Sequence, residues 1–129
     1  MSYLFNADLK DGYLHIRIKG ENTPATIRRY LNDVLNACIS ESCPNVLIEE
    51  DLTGPRLGIG DIFSIIEEKV GAFRPAMRLV AFVDLRATNA ANMKFAENVA
   101  VNRGVTVNVC STVADAEKWL RKKLAAPQP

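Results

Sequence analysis

Charge of one sign is missing from this chain: 16 basic side chains stand against 15 acidic ones, a net charge of +1. No overall field draws such a chain onto nucleic acid or an anionic membrane, so neither is expected as a partner. No apolar stretch approaches the roughly 20 residues of a membrane-spanning helix. The opening MSYLFNADLK lacks a basic start followed by an apolar run, so no signal peptide is expected and the cytoplasm is the expected location. Cysteine is scarce and odd in number. Cys38, Cys43 and Cys110 fit no common zinc spacing and read as reduced structural thiols. There is one histidine, His15, and no readable carboxylate or cysteine partner for it, which makes it a poor general base. Nucleophile elbows and Cys-His signatures are absent. These gaps predict no catalytic residue, no metal and no cofactor.

What remains is an ordinary globular balance. The 129 residues, 48% apolar and 24% charged, fit one domain, and such a length buries about two-thirds of its unfolded surface. A turn at Lys10-Asp11-Gly12 precedes Leu14, Ile16 and Ile18, which alternate with His15, Arg17 and Lys19. That period of two predicts a strand whose His15 face is the wetter one, and residues 2–8 can pair back as the other arm of a hairpin. Thr23-Pro24 is a hydroxyl cap followed by proline at the first helical position, and Ile27, Leu31, Val34, Leu35 and Cys38 follow on one helical stripe.

Val46-Leu47-Ile48 suits an inner strand, predicted over 45–49. Residues 51–60 (DLTGPRLGIG) predict a loop, with Asp61 capping the next helix, whose apolar face is Ile62, Ile65, Ile66 and Val70. Leu79 to Val83 is unbroken apolar, as for a strand covered on both faces. A third helix is predicted over 89–102, with Met93, Ala96 and Ala100 on one face and Gly104 as its stop. Val105, Val107 and Val109 alternate as a strand. Thr112 with Asp115 begins a last helix lined by Ala116, Trp119, Leu120 and Leu124. The expected organisation is a single domain over 1–125 with a frayed tail at 126–129. Strand–helix alternation of this kind demands right-handed crossovers and a mostly parallel sheet with an antiparallel edge.

That order, with RLVAFVDL after the second helix and AVNRGVTVNVCSTVADAEKWL at the end, resembles the STAS domains of bacterial anti-sigma-factor antagonists, closest to the SpoIIAA-like (STAS/SEC14-like) branch. The resemblance covers nearly the whole chain and rests on core patterning. It implies an α/β STAS fold: a mostly parallel sheet with an antiparallel N-terminal edge hairpin and four helices. It also implies a non-enzymatic regulatory module. The family's classical members carry a phosphorylated serine at a helix start after a strand ending in Asp-Leu. The matching stretch here runs from Asp51-Leu52-Thr53 to Gly60-Asp61 and offers no serine at that point, so no phosphorylation switch is expected there. The branch's similarity to lipid-carrier domains implies an apolar-ligand site as the alternative.

The residues expected to carry binding are Asp51, Thr53, Arg56, Leu57, Ile59, Asp61 and Asp84. In open α/β sheets ligands bind beyond the carboxyl ends of the strands, where Asp51 and Asp84 could converge, either to cap loops or to hold a hard cation. Arg56 is the best loop residue for an anionic group. The run Gly58-Ile59-Gly60-Asp61 lacks a phosphate loop's Lys-Ser/Thr ending and reads as a glycine turn. Phe63 reads as core; Leu57 and Ile59 stay open between core, pocket lining and docking patch. The leading function is a binding module acting through the 51–61 loop and the following helix on a protein partner. A carrier or sensor of a small apolar, lipid-like ligand is the alternative, and a cation- or phosphate-dependent enzyme comes third. A homodimer is left open.

Overall fold

The computed structural model describes residues 3–86 and 93–126 in full and residues 90–92 by their backbone. The elements run β1 (Leu4–Leu9), β2 (Leu14–Glu21), α1 (Pro24–Ser40), β3 (Asn45–Thr53), α2 (Ile59–Phe73), β4 (Leu79–Asp84), α3 (Ala90–Asn102), β5 (Thr106–Val109) and α4 (Val113–Ala125). One sheet holds the strands in chain order, β1-β2-β3-β4-β5. The first pair is antiparallel and the others are parallel. The expected hairpin turns at Gly12, whose φ of 89° lies in the left-handed region that glycine occupies without a Cβ penalty. Residue 2, residue 89 at the predicted start of α3, and residues 127–129 of the predicted tail lie outside the described residues.

Strand order that never reverses has a consequence for layering. Successive right-handed crossovers in one direction leave their helices on one side of the sheet. The core divides accordingly. Ile16, Ile48 and Val80 pack with Tyr30, Val34 and Cys38 of α1 and Phe73 of α2, with Ala100 of α3 against them. Leu47, Ala81 and Val83 pack on the opposite face with Ala116 and Leu120 of α4. Three helices therefore share one face, and α4 covers the other alone.

Local signals account for the helix ends. Thr23 Oγ1 accepts from the backbone N–H of Thr26, with Pro24 at the first helical position. Thr112 caps α4 through the N–H of Asp115, and Lys122 and Lys123 sit in its last turn, where the dipole is negative. The start of α2 departs from expectation. Its cap is Gly58, with no side-chain cap bond, and Asp61 lies inside the first turn, exposed. Asp61 stands past the cap position, as the third residue of the helix, so it cannot act as the cap.

His15 corrects a second expectation. It is 4% exposed and its Nε2 lies 2.9 Å from Glu49 Oε1, so it is buried and has a carboxylate partner. Parallel pairing sets His15 against Leu47 and Arg17 against Glu49. Only from Arg17 onward is this face of β2 wet.

Candidate functional site

β3 runs four residues further than predicted, to Thr53, so the loop before α2 spans only 54–58. Alternation along this longer strand sorts its acidic residues between faces. Ile48, Glu50 and Leu52 look toward α1, α2 and α3, whereas Leu47, Glu49 and Asp51 look the other way. Glu50 stands in register with Asp84 of β4. Asp51 and Asp84 thus lie on opposite faces and do not converge. Asp51 Oδ1 takes Arg86 Nε at 2.5 Å on the α4 side. The carboxylate neighbour of Asp84 is Glu50. Among the described residues no group of three or more His, Cys, Asp or Glu is placed to hold a metal ion.

Arg56 is committed to Asp84. Its Nη1 donates to both carboxylate oxygens, at 3.1 and 3.0 Å, and its Nη2 donates to the carbonyls of Leu52 and, at 3.1 Å, Gly54. Side-chain exposure is 15% for Arg56 and 4% for Asp84. Arg56, expected to meet an anionic group, is instead held by its own chain: burial and four acceptors hold this guanidinium. The turn is tight because Gly54 adopts a φ of 100°.

Behind this ion pair, between the sheet and the three helices, is an apolar cavity of about 210 Å³. Ile48, Phe82 and Val107 form its floor; Ile62, Ile65 and Ile66 of α2, with Met93 and Ala96 of α3, form its roof; Leu31 of α1 and Leu57 of the loop border it. The predicted apolar face of α2 and the predicted Met93, Ala96, Ala100 face of α3 are both turned onto this space. Ala96 and Ala100 are too short to fill the gap beneath α3, and Phe82, which lines it, remains half-buried. An engineered apolar cavity of about 150 Å³ stays dry and admits benzene, so this one has room for a somewhat larger organic molecule.

One end of the cavity carries a polar cluster. Tyr30 of α1 donates its hydroxyl to Glu50 Oε2, and Glu50, Asp84 and Arg56 all border the space. Glu50 is 5% exposed. Burial pushes its carboxyl up to about 7; nearby Asp84 adds to the rise, and the Tyr30 hydroxyl and Arg56 oppose it. Burial, then the charge and hydrogen bond of Glu50, raise Tyr30 well above its usual value. Two carboxyls with one guanidinium would leave an excess negative charge in an apolar place, and protonation of Glu50 removes it.

The other expected site residues are dispersed. Thr53 Oγ1 donates to the Gly20 carbonyl at 3.2 Å and borders a separate groove with Tyr3, Lys19, Asp51 and Arg86. Leu57 is partly buried at the cavity. Ile59 is 51% exposed on α2, and Phe63, expected in the core, is 42% exposed with the Arg103 guanidinium 5.2 Å above its ring. Of Arg56, Leu57 and Ile59, only Ile59 lies at the surface.

Sequence reasoning missed Tyr30 and Glu50. Thr26, Tyr30, Val34 and Cys38 recur every four residues and are the buried stripe of α1, while Ile27, Leu31 and Leu35 lie beside it. Glu50, flanked two residues away by Ile48 and Leu52, carries the inward parity of β3.

No protein-family model matches the chain, and no curated protein does. Solved structures do. An anti-sigma factor antagonist from Mycobacterium paratuberculosis is similar over 93% of this chain and 95% of its own, with a TM-score of 0.59 at 15% identity. The unphosphorylated anti-sigma factor antagonist SpoIIAA covers 92% of this chain and 98% of its own, with a TM-score of 0.49 at 12% identity. The first likeness shows that the five-stranded mixed sheet with four helices is the STAS fold. Among the described residues no helix is long and apolar enough to cross a membrane.

Proposed function

We propose, from a fold shared with an anti-sigma factor antagonist, that this chain is a non-enzymatic binding module that takes a small apolar ligand into the cavity beneath α2 and α3. The carrying observation is the cavity itself: about 210 Å³ walled mainly by apolar side chains and bordered at one end by Tyr30, Glu50, Asp84 and Arg56. Largely apolar concavities with a few polar groups at one point are the usual form of small-molecule sites. The 54–58 loop borders the cavity through Leu57 and leads directly into α2, so an occupant would bear on both.

The test fills the space. Ala96→Trp puts an indole where Ala96 now borders the cavity. The apolar dye N-phenyl-1-naphthylamine should brighten with the parent protein and stay dim with the variant, whose circular dichroism and cooperative melt should persist. Dye binding that survives the substitution places it elsewhere, and a parent protein that does not bind the dye removes the reading.

A second reading has its own observation. Ile59 and Phe63, four residues apart on α2, expose large apolar surface on the helix's outer side. Such a pair suits a protein partner of the anti-sigma-factor kind, the class named for the similar structure. Binding to a purified anti-sigma factor, with hydrogen-exchange protection over residues 59–66 that vanishes in the Ile59→Ser, Phe63→Ser double variant, would support it. Protection confined to other elements would refute it.

A further inference from the structure

The polar end of the cavity has a chemical preference of its own. Glu50 Oε2 receives the Tyr30 hydroxyl, whereas Oε1 takes no hydrogen bond from any described residue, although Glu50 borders the cavity. Tyr30 has already spent its one proton on Glu50. Arg56 is spread over Asp84 and two carbonyls. A neutral Glu50 then keeps its carbonyl oxygen toward Tyr30 and has a hydroxyl on Oε1 whose proton has no acceptor among the described residues. A buried donor in that state gains most from a ligand that supplies an acceptor.

We infer that the cavity selects an uncharged apolar molecule bearing one hydrogen-bond acceptor, a carbonyl or ether oxygen, which pairs with Glu50 Oε1. The inference rests on the cavity being a ligand site and names its ligand class. It also couples the site to pH. Once Glu50 ionises, Oε1 is an acceptor facing the ligand's acceptor, and the preference disappears. The charged and titratable groups bordering the same space are Tyr30 from α1, Arg56 from the loop, Lys69 from α2, Asp84 from β4 and Glu97 from α3. Tyr30 is raised well above the neutral range. Burial would raise Glu97, but Lys94 and the backbone N–H of Val109 hold it below its usual value. Neither of these two changes charge between about pH 6 and about pH 8.

Two bicyclic probes of nearly equal shape separate the possibilities: 1-tetralone, which carries a carbonyl, and tetralin, which does not. Binding is read from the methyl NMR signals of Ile62, Ile66 and Met93. At about pH 6 the protein should bind tetralone about tenfold more tightly than tetralin, the scale of one buried hydrogen bond. At about pH 8 that preference should shrink several-fold, with tetralin affinity little changed. Glu50→Gln, whose amide donates at either pH, should keep a tetralone preference that no longer varies. Equal affinities for the two probes at both pH values, or a preference indifferent to pH in the parent protein, overturn the inference and leave the cavity reading standing. Failure of both probes to shift the cavity methyls overturns the two together.

Discussion

Glu50→Gln should make this protein more stable at alkaline pH and nearly indifferent at acid pH. The folded state holds the Glu50 proton more tightly than the unfolded chain does, about 7 against an ordinary value of 4.5. A carboxyl raised in this way contributes stability that is fully present below about pH 4.5. That contribution falls as pH rises and is gone once pH passes about 7. At 1.36 kcal/mol per pH unit, the interval amounts to about 3 kcal/mol. Glutamine keeps an oxygen for the Tyr30 hydroxyl and cannot ionise, so it never loses this stability. The variant should therefore match the parent within about 1 kcal/mol near pH 4.5 and exceed it by about 3 kcal/mol near pH 8, an advantage of about 10 °C in melting temperature for a domain of this size. Urea unfolding of both proteins at about pH 4.5, 6 and 8 measures the difference directly, and groups that titrate alike in the two proteins cancel. A difference that stays flat across this range would refute the reasoning, because it would mean that Glu50 is hydrated in the folded state. A difference that grows toward acid would reverse the sign and point to an ionised Glu50 held by Arg56.

Arg56→Ala should cost about 3 kcal/mol or more in the same urea assay, since it strips the partner from a carboxylate whose side chain is only 4% exposed; a loss below about 1 kcal/mol would show that Asp84 reaches water. Phosphorylation should not operate at the start of α2. Asp61 occupies its first turn, and a phosphate on exposed Ser64 would stand beside that carboxylate. Intact mass after treatment with a serine kinase should show no phosphate adduct, and stoichiometric modification of Thr53 or Ser64 would contradict this.

Most of the fold was legible because it is written in local periodicities. The alternation of Leu14, Ile16 and Ile18, the Thr23-Pro24 and Thr112 caps, and the unbroken run from Leu79 to Val83 depend on neighbours in sequence, and each stands where predicted. The α3 face of Met93, Ala96 and Ala100 was legible too, although periodicity cannot tell a face that packs from one that borders a void. The site was not legible, and the reason is geometric. The expected convergence of Asp51 and Asp84 fails because strand alternation turns Asp51 to the α4 face and leaves Asp84 beside Glu50 on the other. How far β3 extends decides which acidic residue faces inward, and its pairing with β2 through Glu21↔Thr53 fixes that length. Glu50 then meets Tyr30 from α1, Arg56 turns back onto Asp84, and His15 finds Glu49, contacts that span 20 to 34 residues of chain. The sequence by itself determined which segments form strands and helices and which of their faces are apolar. Only the tertiary structure decided that three helices share one face of the sheet, that short alanines leave a space beneath them, and that a carboxyl stands at its end. Those properties arise from distances between segments that carry no common pattern.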